Sequence, residues 1–114
     1  MLEIWPMKRS EVWWVEFDPV VGSKIHKTRP AVIVSNDAAN RNLALVVVVP
    51  LTSNTDRQYP GEALVMITRK QGKAMADQIM AADKARLKSQ LGTLSKTDIL
   101  AVEEAILVHL GMPN

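Results

Sequence analysis

Hydrophobic and polar positions alternate from Glu11 to Asp18, where β-branched and aromatic residues dominate. Strict alternation sets Glu11, Trp13, Val15 and Phe17 on one face, the candidate core face. Val12, Trp14, Glu16 and Asp18 fall on the other. Asp18-Pro19 ends this strand, and residues 19–28, with Pro19, Gly22 and Ser23, read as a loop. Proline cannot donate to a ladder, so the next strand is expected to begin around Pro30 and to bury Ala31-Val32-Ile33-Val34. Ser35-Asn36-Asp37 is a cap or turn cluster ahead of one helical turn at Ala38–Arg41. Leu43–Val49 is the most apolar segment, and its run of valines favours strand over helix. It ends at Pro50-Leu51-Thr52-Ser53-Asn54, and a polar loop follows to Gly61. Glu62–Thr68 reads as a strand and 69–73 as a turn. Ala74–Ala81 is an ambiguous further strand, and 83–88 takes no assignment.

The C-terminus is better defined. Ser95-Lys96-Thr97-Asp98 has the form of a capping signature. Ile99, Val102, Ala105, Ile106, His109 and Leu110 then recur at helical spacing, and Gly111 supplies a stop, which predicts a helix over 96–110. The fold class is therefore mainly β with a C-terminal α-helix (α+β), a small curled sheet or open barrel with the helix on one flank. Residues 1–114 form one domain, with 1–8 expected as a flexible lead-in.

Composition narrows the function classes. Of 114 residues, 47% are hydrophobic and 23% charged, as in a soluble globular domain. With zero cysteines, disulfides, thiolate metal sites and cysteine nucleophiles are excluded together. No apolar run is long enough to span a bilayer, and Met1–Pro6 does not read as a signal peptide, so a cytoplasmic protein away from membranes is expected. Fourteen Lys and Arg against twelve Asp and Glu leave a net charge of only +2. The surplus is local: Lys24, His26, Lys27 and Arg29 fall together without an acid. Such a patch suits either a phosphodiester backbone or a solvated loop.

Chemistry is narrowed further by elimination. The only histidines are His26 and His109, too few for a shared-face metal site of the usual kind, and His109 is expected to be a partly buried core or interface residue on its helix. Five dispersed glycines make no phosphate-cradling loop, and there is no G-x-S-x-G. No cofactor is implied. What remains is a polar set at strand ends: Arg29, Thr52, Asp77 and Gln78. Arginine offers a planar fork to phosphate, and threonine offers a hydroxyl from a rigid strand end, so the pair reads as an anion clamp. The structural alternatives are plain: Arg29 pairs with an acid, Thr52 caps a turn and Asp77 caps a strand end.

Arg9–Pro19, Gly22-Ser23 and Thr28-Arg29-Pro30-Ala31-Val32-Ile33-Val34-Ser35 resemble the N-terminal signature of the MazF/PemK family of toxin endoribonucleases. Val48-Val49-Pro50-Leu51-Thr52-Ser53 is similar to its second motif, and Ala76-Asp77-Gln78-Ile79 with Asp83–Leu87 to its third. The resemblance implies a small SH3-like barrel with a C-terminal helix, usually a homodimer. It also implies metal-independent cleavage of single-stranded RNA (mRNA), by 2′-hydroxyl attack that leaves 2′,3′-cyclic phosphate and 5′-hydroxyl ends. An acidic antitoxin is the implied partner.

By position, Arg29 and Thr52 match the family's catalytic pair, and Asp77-Gln78 its D-Q motif. Candidate RNA contacts are Lys24, His26, Lys27, Thr28, Ser53, Asp77, Gln78 and, as a stacking platform, Trp14. The chain departs from the family at Ser23-Lys24-Ile25, where other members carry histidine or Ser-Glu-Gln, and at Met75, where one branch has arginine. The alternative is a non-catalytic toxin of the same fold that grips a protein such as DNA gyrase.

Overall fold

The computed structural model describes residues 7–18 and 27–113. Seven strands and two helices follow in the order β1 (Glu11–Phe17), β2 (Lys27–Ile33), α1 (Asp37–Asn42), β3 (Leu45–Thr52), β4 (Glu62–Ile67), β5 (Lys70–Met75), β6 (Met80–Asp83), β7 (Leu87–Thr93) and α2 (Lys96–Leu110). Short 3₁₀ turns at Ala76–Gln78 and Lys84–Arg86 join β5 to β6 and β6 to β7. All the pairings are antiparallel, and the sheet runs β4-β5-β3-β2-β1-β7, with β6 added on β3. The path has free ends at β4 and β7, so the expected barrel is open. The chain is a small, mainly antiparallel α+β fold with a C-terminal helix.

Both faces of the sheet are covered. One core joins Val12, Val32, Val49, Leu51, Ala63, Val65 and Ala74 to Ile99, Val102 and Ala105 of α2. The second, on the other face, holds Met7, Trp13, Val15, Ala31, Ile33, Val46, Val48, Ala82 and Leu87. This overturns the expectation of an outward Val12, which is 1% exposed. A strand covered on both sides buries residues of both parities, as burial of Val12 beside Trp13 and Val15 shows. Residues 1–6 of the expected lead-in lie outside the described residues. Met7 is buried in the second core, and the Lys8 N–H donates to Glu11 Oε1 at 3.0 Å.

Boundaries shift for identifiable reasons. β2 begins at Lys27, ahead of Pro30, because residues 27–30 pair with β1, whereas the β2–β3 ladder starts only at Ala31 opposite Pro50. β3 continues through Pro50 to Thr52, so Thr52 ends the strand and does not lie past it. β3 pairs with β6 over Leu45–Val48 and with β5 over Leu51–Thr52, and Pro50 falls in the gap between the two ladders. The expected turn at 69–73 is instead a tight hairpin at Thr68-Arg69, both with positive φ (44° and 75°). α2 matches its prediction. The Ser95 side chain accepts from the Asp98 N–H at 3.1 Å, and Gly111 closes the helix at φ 68°.

Candidate functional site

The site grows out of strand register. Ala31 opposes Pro50 and Ile33 opposes Val48. The ladder ends at the Ala31–Pro50 pair; by alternation Arg29 shares the face of Ala31, and Thr52 the face of Pro50 and Val48, which is the same side of the sheet. On the other side of β2, Arg29 opposes Val15 and Lys27 opposes Phe17. β6 brings Met80 opposite Val48, and Gln78 precedes it in the 3₁₀ turn. The second core thus opens at this end of the sheet into a cavity of about 320 Å³, lined by Phe17, Asp18, Lys27, Arg29, Pro50, Gln78 and Met80. Its walls are apolar, from Phe17, Pro50 and Met80, and its charge comes from the strand ends.

That charge is positive in effect. The Asp18 carboxylate is engaged by the Arg86 guanidinium at 2.7 Å. Arg29 is exposed and, among the described residues, makes no ion pair. The alternative in which Arg29 pairs with an acid therefore finds no support there, and the cavity holds a cation free to take an anionic ligand. Thr52 is half-buried, and its Oγ1 accepts from the Asn54 N–H at 3.2 Å, so it does cap a turn. It is not among the cavity-lining residues but stands at the adjoining strand end. The end of β3 is clasped by β5: a Cβ at Gly72 would lie 3.1 Å from the Thr52 carbonyl oxygen and 2.8 Å from Ile67 Cδ1.

The other candidates separate. Lys27 and Gln78 line the cavity with Arg29. The Gln78 amide donates to Met75 Sδ at 3.5 Å, a weak acceptor that yields easily to a better one. Ser53 is exposed just beyond Thr52. Asp77 is exposed in the 3₁₀ turn and does not line the cavity. Trp14 and Thr28 alternate onto the reverse face, opposite Pro30 and Glu16, so they are not brought to Arg29. Trp14 is 36% exposed and Trp13 is buried, as the outward and inward assignments had them. Lys24 and His26, with residues 19–26 of the expected loop, lie outside the described residues. His109, expected partly buried, is exposed on α2 with its Cβ beside Gly61. Sequence reasoning overlooked the walls Pro50 and Met80. The signal for Pro50 was its parity with Thr52, two residues on.

A second concavity, about 770 Å³, lies between α2 and β4, lined among others by Tyr59, Leu64, Leu100, Glu104 and Val108. Met66 of β4, Leu110 of α2 and Met112 beyond it are exposed as well. Among the described residues no helix is long and apolar enough to cross a membrane.

Comparison with known proteins agrees with this architecture. The sequence profile of the PemK-like, MazF-like toxins of type II toxin–antitoxin systems matches residues 8–110. Endoribonuclease MazF9 of Mycobacterium tuberculosis is 36% identical, the match covering 93% of this chain and 98% of the relative. Endoribonuclease MazF of Staphylococcus epidermidis is 31% identical over 95% of this chain and 94% of its own. A solved mycobacterial endoribonuclease in complex with its cognate antitoxin superposes with a TM-score of 0.77 at 30% identity, covering 94% of this chain and 97% of that one. With a profile spanning nearly its whole length and relatives matched end to end, the chain belongs to the PemK-like, MazF-like toxin family of type II toxin–antitoxin systems.

Proposed function

We propose that this chain is an endoribonuclease toxin that cuts single-stranded mRNA at the end of β2 and β3. The observation that carries the reading is Arg29: a cation without an acidic partner among the described residues, lining a cavity, with Thr52 at the end of the neighbouring strand. The matched relatives are named as endoribonucleases. In this reading the 2′-hydroxyl of the substrate attacks the adjacent 3′-phosphate. The O2′–P bond forms, the P–O5′ bond breaks, the 2′ proton is lost and the departing 5′ oxygen gains one. The products are a 2′,3′-cyclic phosphate and a 5′-hydroxyl. Because the substrate supplies its own nucleophile, the protein's work is orientation and charge stabilisation. Arg29 gives its planar fork to the non-bridging oxygens, and Thr52 donates its hydroxyl to a phosphoryl oxygen. Lys27 holds a flanking phosphate and Gln78 reads a base edge.

Two partners follow. The exposed apolar surface of α2 and β4 suits a second copy of the chain, making a homodimer. The basic strand ends suit an acidic antitoxin segment, as the solved relative in complex with its antitoxin supports. Incubation of purified protein with a long single-stranded RNA and EDTA tests the reading. Discrete fragments that disappear in Arg29→Ala are expected. Intact RNA together with inhibited gyrase supercoiling would favour the non-catalytic alternative.

A further inference from the structure

Across β3 from Arg29, Thr52 opposes Lys73 of β5. Lys73 is 7% exposed, an uncommon burial for an ammonium. Its Nζ lies 3.2 Å from Glu62 Oε1 and donates to the Arg57 carbonyl oxygen at 2.6 Å. The same Glu62 Oε1 accepts the Tyr59 N–H at 2.8 Å, and Gln58 Nε2 donates to the Glu62 carbonyl oxygen at 3.2 Å. From the other end, Thr52 Oγ1 takes the Asn54 N–H and Asn54 Oδ1 takes the Asp56 N–H at 3.1 Å. The segment between β3 and β4 is therefore bonded at both ends, and the buried pair holds its middle. A buried ion pair is a costly way to achieve stability, since well-packed apolar residues often serve a fold as well or better. The Lys73–Glu62 pair does what an apolar pair cannot: it grips the backbone carbonyl of Arg57 and the backbone N–H of Tyr59.

We propose that Lys73 is a positioning residue for RNA binding. Through the Arg57 carbonyl it fixes residues 53–57 as a preformed wall beside Thr52, while Gln58, Tyr59 and Pro60 turn to the concavity between α2 and β4, so that substrate does not have to order that wall on binding. This role rests on the ribonuclease reading above and adds to it a determinant of substrate fit.

The test compares wild type with Lys73→Met and with Lys73→Met/Glu62→Met in steady-state cleavage of a defined single-stranded RNA, alongside thermal melts. The single variant leaves a buried carboxylate alone and loses stability. The double variant removes both charges and regains it. In the double variant the positioning role predicts a KM raised about tenfold with kcat within about twofold. It also predicts cuts at sequences the wild type leaves intact. Wild-type KM and wild-type cleavage sites in the double variant would overturn the role and leave the pair as scaffolding. If wild type leaves RNA whole, or Arg29→Ala cuts as wild type does, the ribonuclease reading itself fails and the role falls with it. That outcome is visible before any change at Lys73.

Discussion

Replacing Arg29 separates the chemistry of the strand ends from their contribution to the fold. Arg29 is exposed, makes no ion pair among the described residues, and lies beyond the β2–β3 ladder that begins at Ala31. Its truncation is therefore expected to change stability by no more than about 0.5 kcal/mol, the usual range for a surface position. Its expected effect on cleavage is much larger. Removing one donor aimed at developing oxyanion charge typically costs about 10²–10³ in kcat, or about 2.7–4 kcal/mol of transition-state stabilisation. Arg29→Lys retains the charge but loses the two-point fork. The loss of one charge-assisted hydrogen bond, about 1.5–3 kcal/mol, places it roughly ten- to a hundredfold below wild type. Single-turnover cleavage of a fluorescent RNA oligonucleotide, with thermal unfolding followed by circular dichroism, measures both. Arg29→Ala cutting within threefold of wild type would refute the reasoning. So would a loss of activity matched by a comparable loss of stability.

Thr52→Val keeps the shape and removes the hydroxyl, and is expected to lower single-turnover cleavage by roughly 10²–10³, whereas Thr52→Ser stays within about tenfold. If the hydroxyl only capped Asn54, both variants would cut normally. Leu51, 1% exposed beside this site, anchors β3 in the α2-side core. Leu51→Ala should cost about 2–5 kcal/mol and lower the melting temperature by roughly 8–20 °C, read by calorimetry. The Asp37 carboxyl is held below its ordinary value, first by the Arg9 backbone N–H at 2.8 Å, which outweighs an opposing desolvation, and then by the Asn40 amide, Arg41 and Lys8. A lowered native value stabilises the fold above the unfolded carboxyl's value near about pH 4, and that contribution fades as pH falls through the native value. Asp37→Asn should therefore lower the neutral plateau of a urea-unfolding pH series and flatten its acid limb, since the contribution lost is the one present at neutral pH.

The parts of the fold legible in the sequence are those governed by local rules. α2 was readable from Ser95 to Gly111 because its cap, its apolar spacing and its stop are all local signals, each present in the structure. β1 was half readable. Alternation places Trp13, Val15 and Phe17 correctly but misplaces Val12, since the rule assumes one wet face and α2 covers it. β7 was missed because Leu87–Thr93 is a polar edge strand with little periodicity. β5 was misplaced because its hairpin turns through Thr68-Arg69 without the glycine or asparagine that normally advertises positive φ. Arg29 and Thr52 stood out as polar residues at strand ends. That they share one face depends on the β2–β3 register, a long-range fact set by packing. Trp14 and Thr28 attracted notice by type, and their parity carries them to the reverse face.

The central claim is that the strand-end arginine and threonine act on a phosphate attacked by its own neighbouring hydroxyl. The most direct measurement uses an RNA oligonucleotide carrying one 2′-deoxy nucleotide at the cleavage position, compared with the all-ribose strand. The account predicts that the all-ribose strand yields a 2′,3′-cyclic phosphate by mass spectrometry, and that the substituted strand binds with similar affinity and stays whole. Cleavage of the substituted strand at that same bond would contradict it.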